Sequence, residues 1–311
     1  MIADLPDCPR PGQVITIPAE DPGPAAGALG FVLEPFQPLR EQFIAITGIG
    51  LEDDGTGTDA GLRSLRLTAG PDGAQVAVMA AGQAGAQRVI FIHGSPGLAE
   101  EWRPFLADVP PGRLHLAPDR PGYGDSGADP VTDLQAHADA LHPLLGPATQ
   151  PGVVLVGYSY GGPVALRIAA DRPDRVAGVL LVGAAADPGL EEIHPLQEVA
   201  ALDFFAQLLP SELASSNAEL MSLRPGLEDL APDLAGLRQP VTILQGLGDT
   251  LVPAANVDYL RAMLPEPPTV ILIEGADHFL PWTHAPLLTR SLDCLVASLP
   301  DQAPRDLSAG K

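Results

Sequence analysis

Gly157-Tyr158-Ser159-Tyr160-Gly161-Gly162 is the stretch whose reading decides the fold. It follows the apolar run Val153-Val154-Leu155-Val156 and opens a segment of helical spacing, 160–170, that Pro173 closes. A G-x-S-x-G pattern between a strand and a helix is the setting of a nucleophile elbow, in which a tight turn holds the serine hydroxyl out above a sheet. Glycine at 157 and 161 removes the Cβ atoms that would collide across such a turn. A serine that merely caps a helix, with glycines nearby by chance, would not require the preceding buried strand.

Outward from that turn, the pattern repeats. Short apolar runs at 88–92, 114–117, 153–156, 176–182, 241–244 and 270–273 have the character of strands buried on both faces. Two further strands, 62–68 and 75–79, flank a turn at Pro71-Asp72-Gly73. Helix-like segments at 134–145, 160–170, 256–264 and 286–298 alternate with the runs. This alternation predicts an α/β fold, a mostly parallel central sheet flanked by helices.

The alternation fails twice. Residues 1–60 are rich in Pro, Gly and Asp and are expected to form an irregular N-terminal extension. Within them, Asp53 to Asp59 spaces oxygen ligands like a calcium loop but lacks the downstream glutamate of an EF-hand, so a plain turn-rich loop is preferred. Residues 187–237 contain no strand and read as a helical cap of short helices, at 191–209 and 210–221, inserted over the carboxyl ends of the strands. The core is then 61–186 and 238–300, with 301–311 a flexible tail.

A serine hydroxyl needs a base, and the base needs an acid to orient it. Among seven histidines, only His278 follows a late apolar strand at its C-terminal end, where sites of α/β sheets lie. Asp249, after the run 241–244, is the preferred acid. Asp187, after 176–182, is its rival, and Asp277 is too close in sequence to His278 to orient the ring. The turn His93-Gly94-Ser95-Pro96-Gly97 after 88–92 can aim a backbone N–H at a developing oxyanion. The expected donors are Ser95 and Tyr160, with His93 bonded inside its own loop.

The chain resembles the α/β-hydrolase superfamily over residues 62–300. The resemblance rests on His93-Gly94-Ser95-Pro96-Gly97, on Asp119-Arg120-Pro121-Gly122-Tyr123-Gly124-Asp125-Ser126, on the Ser159 turn, on Gly248-Asp249 and on Asp277-His278. These loops are similar to those of bacterial esterases and proline-iminopeptidase-like members. The resemblance implies a serine hydrolase with the triad Ser159, Asp249 and His278, no cofactor and no metal. Serine at 159 departs from haloalkane dehalogenases and epoxide hydrolases, which carry aspartate there. The substrate class expected is a small or medium carboxylic ester. Aminopeptidase, lactonase, C–C bond hydrolase, acyltransferase and a ligand-sensing module with a retained triad are the alternatives. In the cap, a stripe of Leu196, Val199, Leu202, Phe205 and Leu208 is expected to pack inward, leaving Phe204 and His194 to face substrate.

Composition narrows the partners. The formal net charge is -22, and Lys311 is the sole lysine. Without a Lys/Arg patch, neither phosphate backbones nor anionic membranes find a counter-surface. No 18-residue apolar run and no basic, apolar leader appears, so the expectation is a cytoplasmic protein. Cys8 and Cys294 lie at opposite ends of the chain; one disulfide is possible, though nothing in the spacing argues for it, and two isolated thiols form neither a disulfide framework nor a zinc site.

Overall fold

The computed structural model describes residues 7–18, 61–69, 74–127, 131–192 and 211–300. Nine strands form one sheet: β1 (Val14–Ile17), β2 (Arg63–Ala69), β3 (Ala74–Gly82), β4 (Gln87–Ile92), β5 (Arg113–Pro118), β6 (Val153–Tyr158), β7 (Val176–Val182), β8 (Val241–Gly246) and β9 (Thr269–Ile273). The order across the sheet is β1-β9-β8-β7-β6-β4-β5-β3-β2. Every pairing from β1 to β5 is parallel, and β3 and β2 close the far edge antiparallel. The mostly parallel α/β sheet expected from the alternation is therefore present.

Successive residues of a strand point to opposite faces, so a sheet covered on both sides divides its apolar residues between two cores. Here Val153, Leu155, Val179 and Leu181 join one core, while Val154, Val156, Leu180 and Val182 join the other. The first is covered by α2 (Leu134–Leu141), α3 (Gly161–Asp171), α4 (Ser211–Leu234) and α5 (Ala255–Met263). The second is covered by α1 (Arg103–Ala107), the short α6 (Leu280–Thr283) and α7 (Ala285–Ser298). Among the described residues, no helix is long and apolar enough to cross a membrane.

Three features depart from the sequence reading. Val14–Ile17, inside the segment expected to be irregular, is a strand that pairs in parallel with β9, Val14 opposite Val270. Cys8 and Cys294 are joined, with Cα atoms 5.3 Å apart, so the bridge ties the approach to β1 onto α7. Sequence spacing gave no reason for it, because two residues far apart in the chain meet only once the sheet has assembled. The third departure is in the cap. One helix of 24 residues, α4, replaces the short helices expected around 210–221, although Pro225 and Pro232 lie inside it. Leu223, Leu227, Leu230 and Leu234 recur at three- and four-residue intervals and are all buried against the core. That stripe holds the helix through both prolines. Gly226 lets it approach α2, since a Cβ there would sit 3.0 Å from the Leu134 side chain. The cap helix expected at 191–209, from residue 193 on, the stripe at 196–208, the loop at 53–59, the turn at 71–73 and the tail at 301–311 lie outside the described residues.

Candidate active site

The strand β6 ends in the sharp turn the sequence predicts. Ser159 has φ +52°, a left-handed conformation unusual for a residue with a side chain. Its N–H donates to the Val182 carbonyl at 3.0 Å, and its own carbonyl accepts from Gly162 N–H at 3.0 Å. These bonds from both sides hold the strained backbone in place. Gly161 is obligatory: a Cβ there would collide with the Ile92 carbonyl of β4. Ser159 remains partly exposed between the buried Tyr158 and Tyr160.

His278 reaches Ser159 from the loop after β9. Its Nε2 lies 3.0 Å from Ser159 Oγ and its Nδ1 lies 2.7 Å from Asp249 Oδ2. A carboxylate can only accept, so Nδ1 carries the proton and Nε2 is left as acceptor toward the hydroxyl. Asp249 is buried, with its side chain fully enclosed. Its Oδ1 accepts from Leu251 N–H at 3.0 Å and Val252 N–H at 2.8 Å, and Gln245 Nε2 donates to Oδ2 at 3.3 Å. The acid is thus held by neutral donors. The His278 ring lies against Tyr158, with centroids 5.1 Å apart, and Trp282 meets Tyr158 edge-on. Beneath the pair, Gly183 at the end of β7 has φ +50°, and a Cβ there would sit 3.3 Å from His278 Nδ1 and 3.4 Å from Asp249 Oδ2.

The rival acids have other partners. Asp187 Oδ1 accepts from Gly189 N–H at 2.8 Å and caps a single helical turn. Asp277 accepts from Phe279 N–H at 3.0 Å.

The turn after β4 stands against the nucleophile: a Cβ on Gly94 would lie 3.1 Å from Ser159 Cβ. Neither Ser95 N–H nor Tyr160 N–H has an acceptor among the described residues. His93 is locked inside the loop as expected. Its Nδ1 meets the Gly94 carbonyl at 2.8 Å and its Nε2 accepts from Arg120 N–H at 2.9 Å. Burial, then the neighbouring Arg120 charge, pushes its pKa well below the usual value and keeps it neutral.

A second buried assembly adjoins this loop, and the sequence reading did not contain it. Arg120 and Glu219, both with side chains fully buried, form a two-pronged pair at 2.5 and 3.1 Å. His137 Nε2 lies 2.8 Å from Glu219 Oε1, and Tyr123 OH donates to Oε2 at 2.7 Å. Burial alone would raise the Glu219 pKa, but the Arg120 charge and the His137 contact outweigh it and hold the carboxyl down to about 2. Arg120 and Tyr123 lie in the stretch 119–126, which carries part of the family resemblance. Glu219 comes from α4, 99 residues away, and the spacing of a helix with two internal prolines carried no sign of it. His194 and Phe204, the expected pocket residues, lie outside the described residues.

Asp139, His142 and Asp171 form a further close cluster, which shares no residue with either assembly. Arg167 already pairs with Asp171 at 2.6 Å, so the carboxylate has a resident cation.

Comparison with known proteins agrees with the geometry. The profile of the alpha/beta hydrolase family matches residues 89–301. The pimeloyl-[acyl-carrier protein] methyl ester esterase of Aromatoleum aromaticum is 28% identical over 67% of this chain and 95% of its own length. Epoxide hydrolase A of Mycobacterium tuberculosis is 32% identical over 67% of this chain and 66% of its own. A thermophilic esterase from Thermogutta terrifontis superposes with a TM-score of 0.60 at 21% identity, covering 76% of this chain and 98% of that one.

Proposed function

Because the chain belongs to the α/β-hydrolase family, we propose that it is a serine esterase acting on a small or medium carboxylic ester through an acyl-enzyme at Ser159. The observation that carries the reading is the relay Asp249–His278–Ser159, with contacts of 2.7 and 3.0 Å. Ser159 Oγ attacks the acyl carbon while His278 Nε2 takes its proton. Asp249 keeps the imidazole in the required tautomer and offsets the charge it gains. The N–H groups of Ser95 and Tyr160 receive the oxyanion. His278 then passes its proton to the leaving alkoxide, and the acyl group stays on serine. A water, deprotonated by the same nitrogen, attacks the acyl-enzyme and releases the acid.

The relatives that include esterases by name support ester over the aminopeptidase alternative. The Cys8–Cys294 bridge also favours residence in an oxidising compartment over the cytoplasm expected from sequence, since such bridges are rare where thiols are kept reduced.

The test is a panel of p-nitrophenyl esters beside aminoacyl arylamides, with peptide mapping of a fluorophosphonate label. Ester turnover and a label on Ser159 are expected. Labelling at another serine, or arylamide turnover exceeding ester turnover, would overturn the proposal.

A further inference from the structure

Arg120 bonds two successive carbonyls of the loop that faces Ser159. Its Nε donates to the His93 carbonyl at 3.1 Å and its Nη2 to the Gly94 carbonyl at 2.7 Å. Its guanidinium lies 4.8 Å from the ring centroids of both Tyr123 and Tyr160. On the opposite side it meets Glu219 of α4. A planar trans peptide points its C=O and N–H in opposite directions. The bond from Arg120 to the Gly94 oxygen therefore turns the Ser95 N–H away from the arginine. The guanidinium N–H bonded to that oxygen also polarises the peptide and strengthens its N–H as a donor.

We infer that Arg120 is a positioning residue that aims and polarises the Ser95 N–H, and that Glu219 makes this aim depend on α4 being docked. The inference rests on the proposed acyl-enzyme reading, in which Ser95 N–H binds the oxyanion. Glu219 fixes the guanidinium plane by its two-pronged contact, and Tyr123 and His137 hold Glu219 in turn. Ser216, one turn earlier on α4, reinforces the link: Ser95 Oγ donates to Ser216 Oγ at 3.0 Å. The helix over the site thereby reaches the oxyanion donor through both the side chain and the peptide of Ser95. If α4 lifts, the loop loses its orientation, so acylation is confined to the closed arrangement.

Arg120→Lys separates the positioning role from a structural one. Lysine keeps the charge against Glu219 but has no planar fork to bond both loop carbonyls at once. The full-length native protein and the variants Arg120→Lys and Glu219→Gln are compared by ester kinetics and thermal melts. Losing one oxyanion donor costs about 10²–10³ in kcat. For Arg120→Lys the expected result is a kcat loss approaching about 10²-fold with KM within about threefold, at a melting temperature near that of the native protein. Glu219→Gln, which keeps shape and one acceptor, is expected to lose roughly tenfold in kcat, again with KM unchanged. Unchanged kcat in Arg120→Lys, a loss confined to KM, or activity that falls only together with the melting temperature would overturn the inference. Failure of the acyl-enzyme reading is visible separately, as a native protein that takes no label at Ser159.

Discussion

Two buried assemblies flank Ser159, and they use the same residue types to opposite ends. In one, Asp249 faces His278; in the other, Glu219 faces His137. Asp249 has no cation among its described partners and is satisfied by two backbone N–H groups and Gln245. A positive charge arriving on His278 therefore finds an acid that is not yet neutralised. Glu219 is already neutralised by Arg120. A proton added to His137 would place a second cation in a dry site, and its pKa is accordingly lowered, first by burial. The carboxylate beside His278 has no other cation among its described partners, whereas the one beside His137 does. A carboxylate beside a histidine thus says little about catalysis until the acid's remaining partners are counted.

The comparison breaks at its first half most sharply. Ser159→Ala is expected to cost on the order of 10⁶ in kcat, as loss of a triad serine does elsewhere, with the melting temperature unchanged. Asp249→Asn follows at about 10⁴ in turnover, by favouring the wrong imidazole tautomer. Asp187→Asn and Asp277→Asn are expected to stay within about threefold, since those acids only accept from nearby N–H groups. If Asp187→Asn proves the costlier change, the acid has been misassigned.

The second half should break differently. Glu219→Ala leaves a buried guanidinium without its anion, and such losses cost about 3–5 kcal/mol of stability. Denaturant unfolding of Asp249→Asn and Glu219→Ala side by side would show this. The first should lose activity and keep its midpoint, and the second should lose its midpoint. Equal midpoints would erase the distinction between the two assemblies.

The smallest effect concerns a third buried acid, Glu101. Burial raises its pKa to about 8, against a usual 4.5, and Leu98 N–H donates to its Oε1. Below about 4.5 both folded and unfolded chains hold the proton. Between there and about 8 only the folded chain does. Stability from this group is therefore complete at low pH and declines as pH rises, by up to about 1.4 kcal/mol per unit. Glu101→Gln keeps the acceptor and removes the titration. Its melting temperature should change less between pH 5.5 and pH 8 than that of the native protein, and parallel slopes would refute the assignment.

What the sequence revealed follows from where the physics is local. The Ser159 turn, Gly248-Asp249 and Asp277-His278 each lie within a few residues of a buried strand, so strand and turn together announce them. Strand positions were legible because runs buried on both faces have few polar interruptions. The extent of α4 beyond the helix expected at 210–221 was not, because Pro225 and Pro232 lie in that continuation and only the docked leucine stripe overrides them. Glu219 was not, because its partner is 99 residues upstream. Nor was β1, a four-residue edge strand in which only Ile15 and Ile17 are partly buried and Val14 and Thr16 stay exposed. Gly183 could have been suspected: a glycine ending a fully buried strand marks a place where something approaches closely, here the His278–Asp249 pair.

The Cys8–Cys294 bridge, whose ends are 286 positions apart in the chain, makes the sheet, both cores and the whole candidate site one covalent ring. A single proteolytic cut anywhere within that ring opens it without releasing a fragment. On a denaturing gel the nicked protein should run as one full-mass band until reductant is added, and only then as two. The Ser159 and His278 sides of the site would stay tethered after such a cut, so the number of backbone breaks and the loss of activity need not coincide.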